Sequence, residues 1–132
     1  MRRQLKFRRR SPATLNNLGS VYDDLKNYEK AFEYYEKDLK GSEKTLGKNH
    51  PDTLATVMNI AIIYVSGLND YGKAEELFER ALMGYEAQLG KDNKYTKLCA
   101  KNFKLCLEYS GNSESFAELI SSYPGLAFEE AD

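Results

Sequence analysis

Tryptophan is absent from this sequence, histidine occurs once, cysteine twice and proline three times. Each scarcity excludes something. His50, Cys99 and Cys106 are too few metal-ligating side chains, and too far apart in sequence, for a zinc site. Cys99 and Cys106 lie seven residues apart in a helical pattern, about 10 Å along the axis. One helix cannot bridge such a pair, so the two read as small core residues of a reduced, intracellular protein. The longest apolar run, Ile60 to Val65, falls far short of the roughly 20 residues a membrane helix needs. No apolar stretch has the form of a secretory signal. There is no glycine-rich phosphate loop, and no Ser or Cys nucleophile is patterned beside His50, so neither catalysis nor a cofactor is expected.

Hydrophobic residues make up 42% and charged residues 30% of the chain, the balance of an ordinary globular domain. Its net charge of −1 conceals an uneven distribution. Arg2, Arg3, Lys6, Arg8, Arg9 and Arg10 crowd residues 1–10 without an acid. The remainder carries 13 basic against 20 acidic residues. An acidic body does not hold a nucleic-acid backbone over a broad face, so nucleic acid is expected only weakly, through the basic tail.

Self-similarity then dominates the reading. Ala13-Thr14-Leu15-Asn16-Asn17-Leu18-Gly19-Ser20-Val21-Tyr22 lies over Ala55-Thr56-Val57-Met58-Asn59-Ile60-Ala61-Ile62-Ile63-Tyr64 at an offset of 42. Asn27-Tyr28-Glu29-Lys30-Ala31 lies over Asp70-Tyr71-Gly72-Lys73-Ala74 at 43, because the intervening turn is one residue longer. A drifted third copy at 43 places Ala100, Asn102, Phe103, Cys106 and Leu107 under Val57, Asn59, Ile60, Ile63 and Tyr64.

Each unit reads as two helices. The first helices are expected over Pro12 to Asp24, Pro51 to Ser66 and Lys94 to Tyr109. The second helices are expected over Tyr28 to Leu46, Tyr71 to Leu89 and Glu114 to Ser121. Pro12 and Pro51 suit a first helical position. Asn27, Asp70 and Ser113 are expected N-caps, and Gly47 and Gly90 are expected to stop the second helices. Gly19 and Ala61, with Ala31 and Ala74, supply small positions. Tyr35 and Phe78 supply large ones, and small-against-large packing sets how closely a pair approaches.

These residues resemble the tetratricopeptide repeat: Leu15, Leu18, Gly19, Tyr22, Ala31 and Tyr35 in unit one, and Val57, Ile60, Ala61, Tyr64, Ala74, Phe78 and Ala81 in unit two. The long spacing and the segment Leu46-Gly47-Lys48-Asn49-His50-Pro51-Asp52-Thr53 look like the kinesin light chain subtype. The resemblance implies an all-α, right-handed α-solenoid of antiparallel helix pairs, with the first helices lining a concave groove. The expected organisation is a basic tail over 1–10, a domain over 11–123 with units of about 11–49, 50–92 and 93–121, and a tail over 124–132. Asp38 departs from the pattern at a small position of unit one, and Lys104 at the Gly/Ala position of unit three.

By the same resemblance, the position before the conserved Leu faces the groove, where an asparagine grips a peptide backbone. Asn17, Asn59 and Asn102 hold that position. An amide donates and accepts at once, so it reads any main chain. The alternative is an asparagine ladder between neighbouring helices. Asn16, Ser20, Asp24, Met58, Ile62, Ser66, Lys101 and Leu105 are expected beside them. Met58 and Ile62 form an apolar centre, or else pack between helices. Asp23 and Asp24 stand at one end, Lys97 and Lys101 at the other. His50 is expected to serve the loop before Pro51 structurally. Glu75, Glu76, Glu79 and Arg80 are expected on a solvated face. The function these residues imply is protein–protein binding in the cytoplasm, with a peptide segment of a partner in the groove. The alternatives are self-association through an apolar end formed by Leu15, Leu18, Tyr22 and Tyr28, or a piece of a larger signalling or transport protein.

Overall fold

The computed structural model describes residues 12–111 and, beyond them, residues 118 and 121. Five helices occupy this span: α1 Pro12–Asp24, α2 Tyr28–Leu46, α3 Pro51–Ser66, α4 Tyr71–Leu89 and α5 Lys94–Ser110. No strand occurs among the described residues. Each helix packs on the next, and α3 also touches α5. That is the neighbour pattern of stacked antiparallel pairs, an all-α solenoid. Helices α1 and α2 form unit one, α3 and α4 unit two, and α5 opens unit three. The second helix of unit three, its expected cap Ser113 and both tails lie outside the described residues, apart from Glu118 and Ser121.

The helix ends follow the local chemistry. The Asn27 and Asp70 carboxamide and carboxylate oxygens accept the Lys30 and Lys73 N–H groups, each at 3.3 Å. Gly47 and Gly90 end α2 and α4 at φ +99° and +89°, backbone that disfavours any side chain. His50 is the N-cap of α3. Its Nδ1 accepts the Asp52 N–H at 3.0 Å, ahead of Pro51 at the first turn. The Thr53 hydroxyl donates back to the Gly47 carbonyl at 2.8 Å and closes the loop between units. Asn93 caps α5, accepting the Tyr95 N–H at 2.8 Å.

Small-against-large packing holds the pairs together. A Cβ on Gly19 would stand 2.7 Å from the Tyr35 ring, so α1 and α2 touch where only glycine fits. Ala61 and Ala74 are fully buried in unit two, beside Phe78. Phe78 also stacks on Phe103 of α5, ring centres 5.9 Å apart, which ties unit two to unit three. Between units one and two, Ala31 and Tyr35 of α2 bury Ile60 and Ile63 of α3. Arg80 does not join the solvated face with the exposed Glu76 and Glu79. It crosses from α4 to donate to Glu43 of α2 at 2.7 Å and to the Lys48 carbonyl at 3.4 Å.

Cys99 and Cys106 are buried and free. Their thiols lie 3.7 and 3.9 Å from the Phe78 and Tyr71 carbonyls, as core side chains of α5 against α4. Burial pushes the Cys99 thiol from 9.0 up to about 12 and, with help from Glu75, the Cys106 thiol up to about 11. The unfolded chain therefore loses these protons at lower pH than the folded one. Their contribution to stability is whole below pH 9 and is lost as pH climbs toward 11–12. Thermal unfolding followed by circular dichroism is expected to show a melting temperature that falls across that window. The Cys99→Ala/Cys106→Ala chain is expected to fall less steeply, and parallel slopes would contradict the assignment.

Candidate peptide-binding groove

Helices α1, α3 and α5 lie along one side of the stack. The 100° step of an α-helix sorts their residues into two neighbouring stripes. One stripe carries the recurring asparagines. In α1 it runs through Asn17, Ser20 and Asp24. In α3 it runs through Asn59, Ile62 and Ser66, and in α5 through Leu98, Asn102, Leu105 and Tyr109. Asn17, Ser20, Asp24, Ser66, Leu98, Leu105 and Tyr109 are exposed, while Asn59, Ile62 and Asn102 are half-buried.

The second stripe turns toward the next first helix. Asn16 donates to the Thr56 hydroxyl of α3 at 3.2 Å. Met58 is only 7% exposed and belongs to the core shared by α3, α4 and α5. Its sulfur lies 3.9 Å from the Asn102 amide. Asn16 and Met58 thus join the units together instead of facing an open groove. One helical residue separates the two stripes, so an error of 100° moves a side chain from groove to seam. Lys101 shares this register and is exposed on α5.

An asparagine ladder is not what these residues form. Among the described residues, Asn102 meets Met58, and neither Asn17 nor Asn59 makes a side-chain hydrogen bond. Among the described residues nothing occupies the donors and acceptors of the Asn17 and Asn59 amides.

The groove is polarised. Asp23 and Asp24 mark its unit-one end. Burial, and then the charge of Asp24, raises the Asp23 carboxyl above its usual value, with Lys26 opposing. Burial, and then the charge of Asp23, push the ionisation of the Tyr35 hydroxyl up. Toward unit three the stripe becomes apolar, from Ile62 to Leu105. Leu98 and Tyr109 extend that surface and were not among the expected groove residues. The 98-102-105-109 spacing carried the signal, and it was hidden by the weaker likeness of the third unit.

Beneath the groove, between units one and two, lies a buried polar link. The Thr56 hydroxyl donates to Asp38 Oδ2 at 2.5 Å while accepting from Asn16. Asp38 is 3% exposed, and its Oδ1 has no hydrogen-bond partner. This is how the chain accommodates an acid at a position the repeat pattern reserves for a small residue. No group of three His, Cys, Asp or Glu side chains suited to a metal occurs among the described residues. No described helix is long and apolar enough to cross a membrane.

Comparisons with known proteins agree with the fold. A tetratricopeptide repeat family model matches residues 10–87, more than half of the chain. Among solved structures, the chain is similar to the crystal structure of BtubC (BKLC) from P. vanneervenii, with a TM-score of 0.75 at 21% identity. That match covers 92% of this chain and 46% of the other, so the chain spans about half the length of the solved structure. No curated protein sequence matches it.

Proposed function

The chain belongs to the tetratricopeptide repeat family, and from that premise we propose that it is a cytoplasmic binding module. In this reading it holds an extended peptide segment of a partner protein along α1, α3 and α5. The observation that carries the reading is the recurrence of Asn17, Asn59 and Asn102 at one register of three successive helices. Two of these amides lack any intramolecular partner among the described residues. Each would exchange two hydrogen bonds with the peptide main chain, giving affinity with little dependence on sequence.

Specificity would come from the flanks. Ile62 and Leu105 offer an apolar seat, extended by Leu98 and Tyr109. The exposed Lys101 favours acidic peptide residues at the unit-three end, and Asp23 and Asp24 favour basic ones at the unit-one end. The peptide therefore has a direction as well as a composition.

The test is a comparative capture from cell lysate, read by mass spectrometry. The baits are the wild-type chain and the Asn17→Ala/Asn59→Ala/Asn102→Ala chain, both first shown to be folded by circular dichroism. The expected result is a partner captured by the wild type and reduced at least about tenfold with the triple variant, since three lost hydrogen-bonded contacts at about 0.5–1.5 kcal/mol each exceed 1.4 kcal/mol. Partners captured equally by both baits would remove the asparagines from the binding surface.

A further inference from the structure

The two junctions of the stack are not built alike. Each has an apolar half. Ala31 and Tyr35 of α2 bury Ile60 and Ile63 of α3, and Ala74 and Phe78 of α4 share a core with Phe103 and Cys106 of α5. The other half differs position by position. Asn16, Asp38, Ser42 and Thr56 at the first junction hold the places of Met58, Ala81, Tyr85 and Cys99 at the second. The second set belongs to one continuous apolar core. The first set is polar, yet Asp38, Ser42 and Thr56 are each at most 3% exposed.

A polar half-seam responds differently when it parts. Separating Met58, Ala81, Tyr85 and Cys99 would expose apolar surface to water at a cost. Separating Asp38 from Thr56 hands both groups to water, and Asp38 Oδ1, which has no partner in the closed seam, gains one. Arg80 of α4 spans the same half of the junction, donating to Glu43 of α2, the residue after Ser42. Both side chains are partly exposed, so salt screens this ion pair and it holds the seam only lightly.

We propose that the junction of units one and two is a hinge. Its pivot is the contact of Ala31 and Tyr35 with Ile60 and Ile63, its mouth is the polar half, and the Arg80–Glu43 pair is its latch. Helices α1 and α2 swing as one body, because the Tyr35 ring is also the surface on which Gly19 of α1 sits. Helices α3, α4 and α5 stay together through their shared core. The consequence for the groove rests on the peptide-binding reading above. Asn59 and Asn102 keep a fixed spacing, while Asn17 moves with unit one, so the groove adjusts its span at a single joint.

The test needs no peptide, so its outcome is independent of the groove. Ser42→Cys places a thiol in the mouth with little change of shape, and the buried native Cys99 and Cys106 are internal controls in the apolar core. The full chain meets a thiol reagent under native conditions, and mass spectrometry of peptic fragments reads the rate at each position. The thiol at position 42 is expected to react at least about tenfold faster than Cys99 and Cys106, since one stranded buried polar atom is worth about that factor. Arg80→Gln is expected to speed position 42 alone. Asp38→Ala/Thr56→Val, which makes the mouth apolar, is expected to slow it toward the rate of the controls. Should that variant not fold, Arg80→Gln, at a partly exposed position, decides by itself. Equal rates at all three thiols would mean that the stack opens only as a whole and would overturn the hinge. So would a fast position 42 that neither Arg80→Gln nor the apolar mouth alters.

Discussion

Replacing Phe78 with alanine is expected to cost about 3–5 kcal/mol, the range for deleting a large aromatic from a packed core. Phe78 is 1% exposed. It faces the small first-helix position of its own unit and stacks on Phe103 of the next. Its loss opens a cavity at the point where unit two is joined to unit three. The gaps between tightly packed helices do not close around such a void, so little of the energy is recovered. A total stability of about 5–15 kcal/mol is usual for one domain, so this substitution consumes a large share of it. Urea denaturation followed by circular dichroism measures the shift, and a loss below about 1 kcal/mol would contradict the bridging role given to Phe78.

The opposite sign is expected at the junction of units one and two. Asp38 holds the place of Ala81, and Thr56 the place of Cys99, each one unit earlier. The chain thus solves one packing problem in two ways: a carboxylate bonded to a hydroxyl, or alanine against a thiol. The polar solution leaves Asp38 Oδ1 buried without a partner. Replacing both partners of a buried hydrogen bond with apolar groups of the same shape is neutral to stabilising, and an unsatisfied buried polar group costs about 1–3 kcal/mol. The double variant Asp38→Ala/Thr56→Cys, which copies unit two into unit one, is expected to gain up to about 1–3 kcal/mol by removing the stranded Oδ1. Thr56→Cys alone is expected to destabilise, because it strands the carboxylate. Both changes are read from denaturation midpoints, and a destabilised double variant would mean that the polar link contributes more than its burial costs.

The helices were legible in the sequence because several independent signals coincided. Pro51 and Gly47 bracket the loop, Asn27 and Asp70 cap the second helices, and the apolar spacing agrees with both. The observed α1 to α4 bounds coincide with the expected ones. The small-against-large contact of Gly19 with Tyr35 was likewise written in the repeat. Register within the groove was less legible. Met58 and Asn59 are neighbours in sequence with different apolar character, and each points between two possible partners, so only the spacing of adjacent helices decides which one is buried. Asp38 read as a misfit because its partner Thr56 lies 18 residues away, in another unit. Arg80 read as solvated because its partner Glu43 lies 37 residues away. Pairings across units follow from the superhelix and not from any local pattern.

The groove rests on one claim, that the asparagines of three successive helices grip one peptide strand. The most direct measurement labels the chain with nitrogen-15 and follows the asparagine side-chain amide resonances while a peptide from a captured partner is added. Binding as described predicts that the Asn17, Asn59 and Asn102 amide signals all shift and saturate together, with assignments taken from the single alanine variants. Shifts confined to residues of α2 and α4, with the three asparagine amides unmoved, would contradict it.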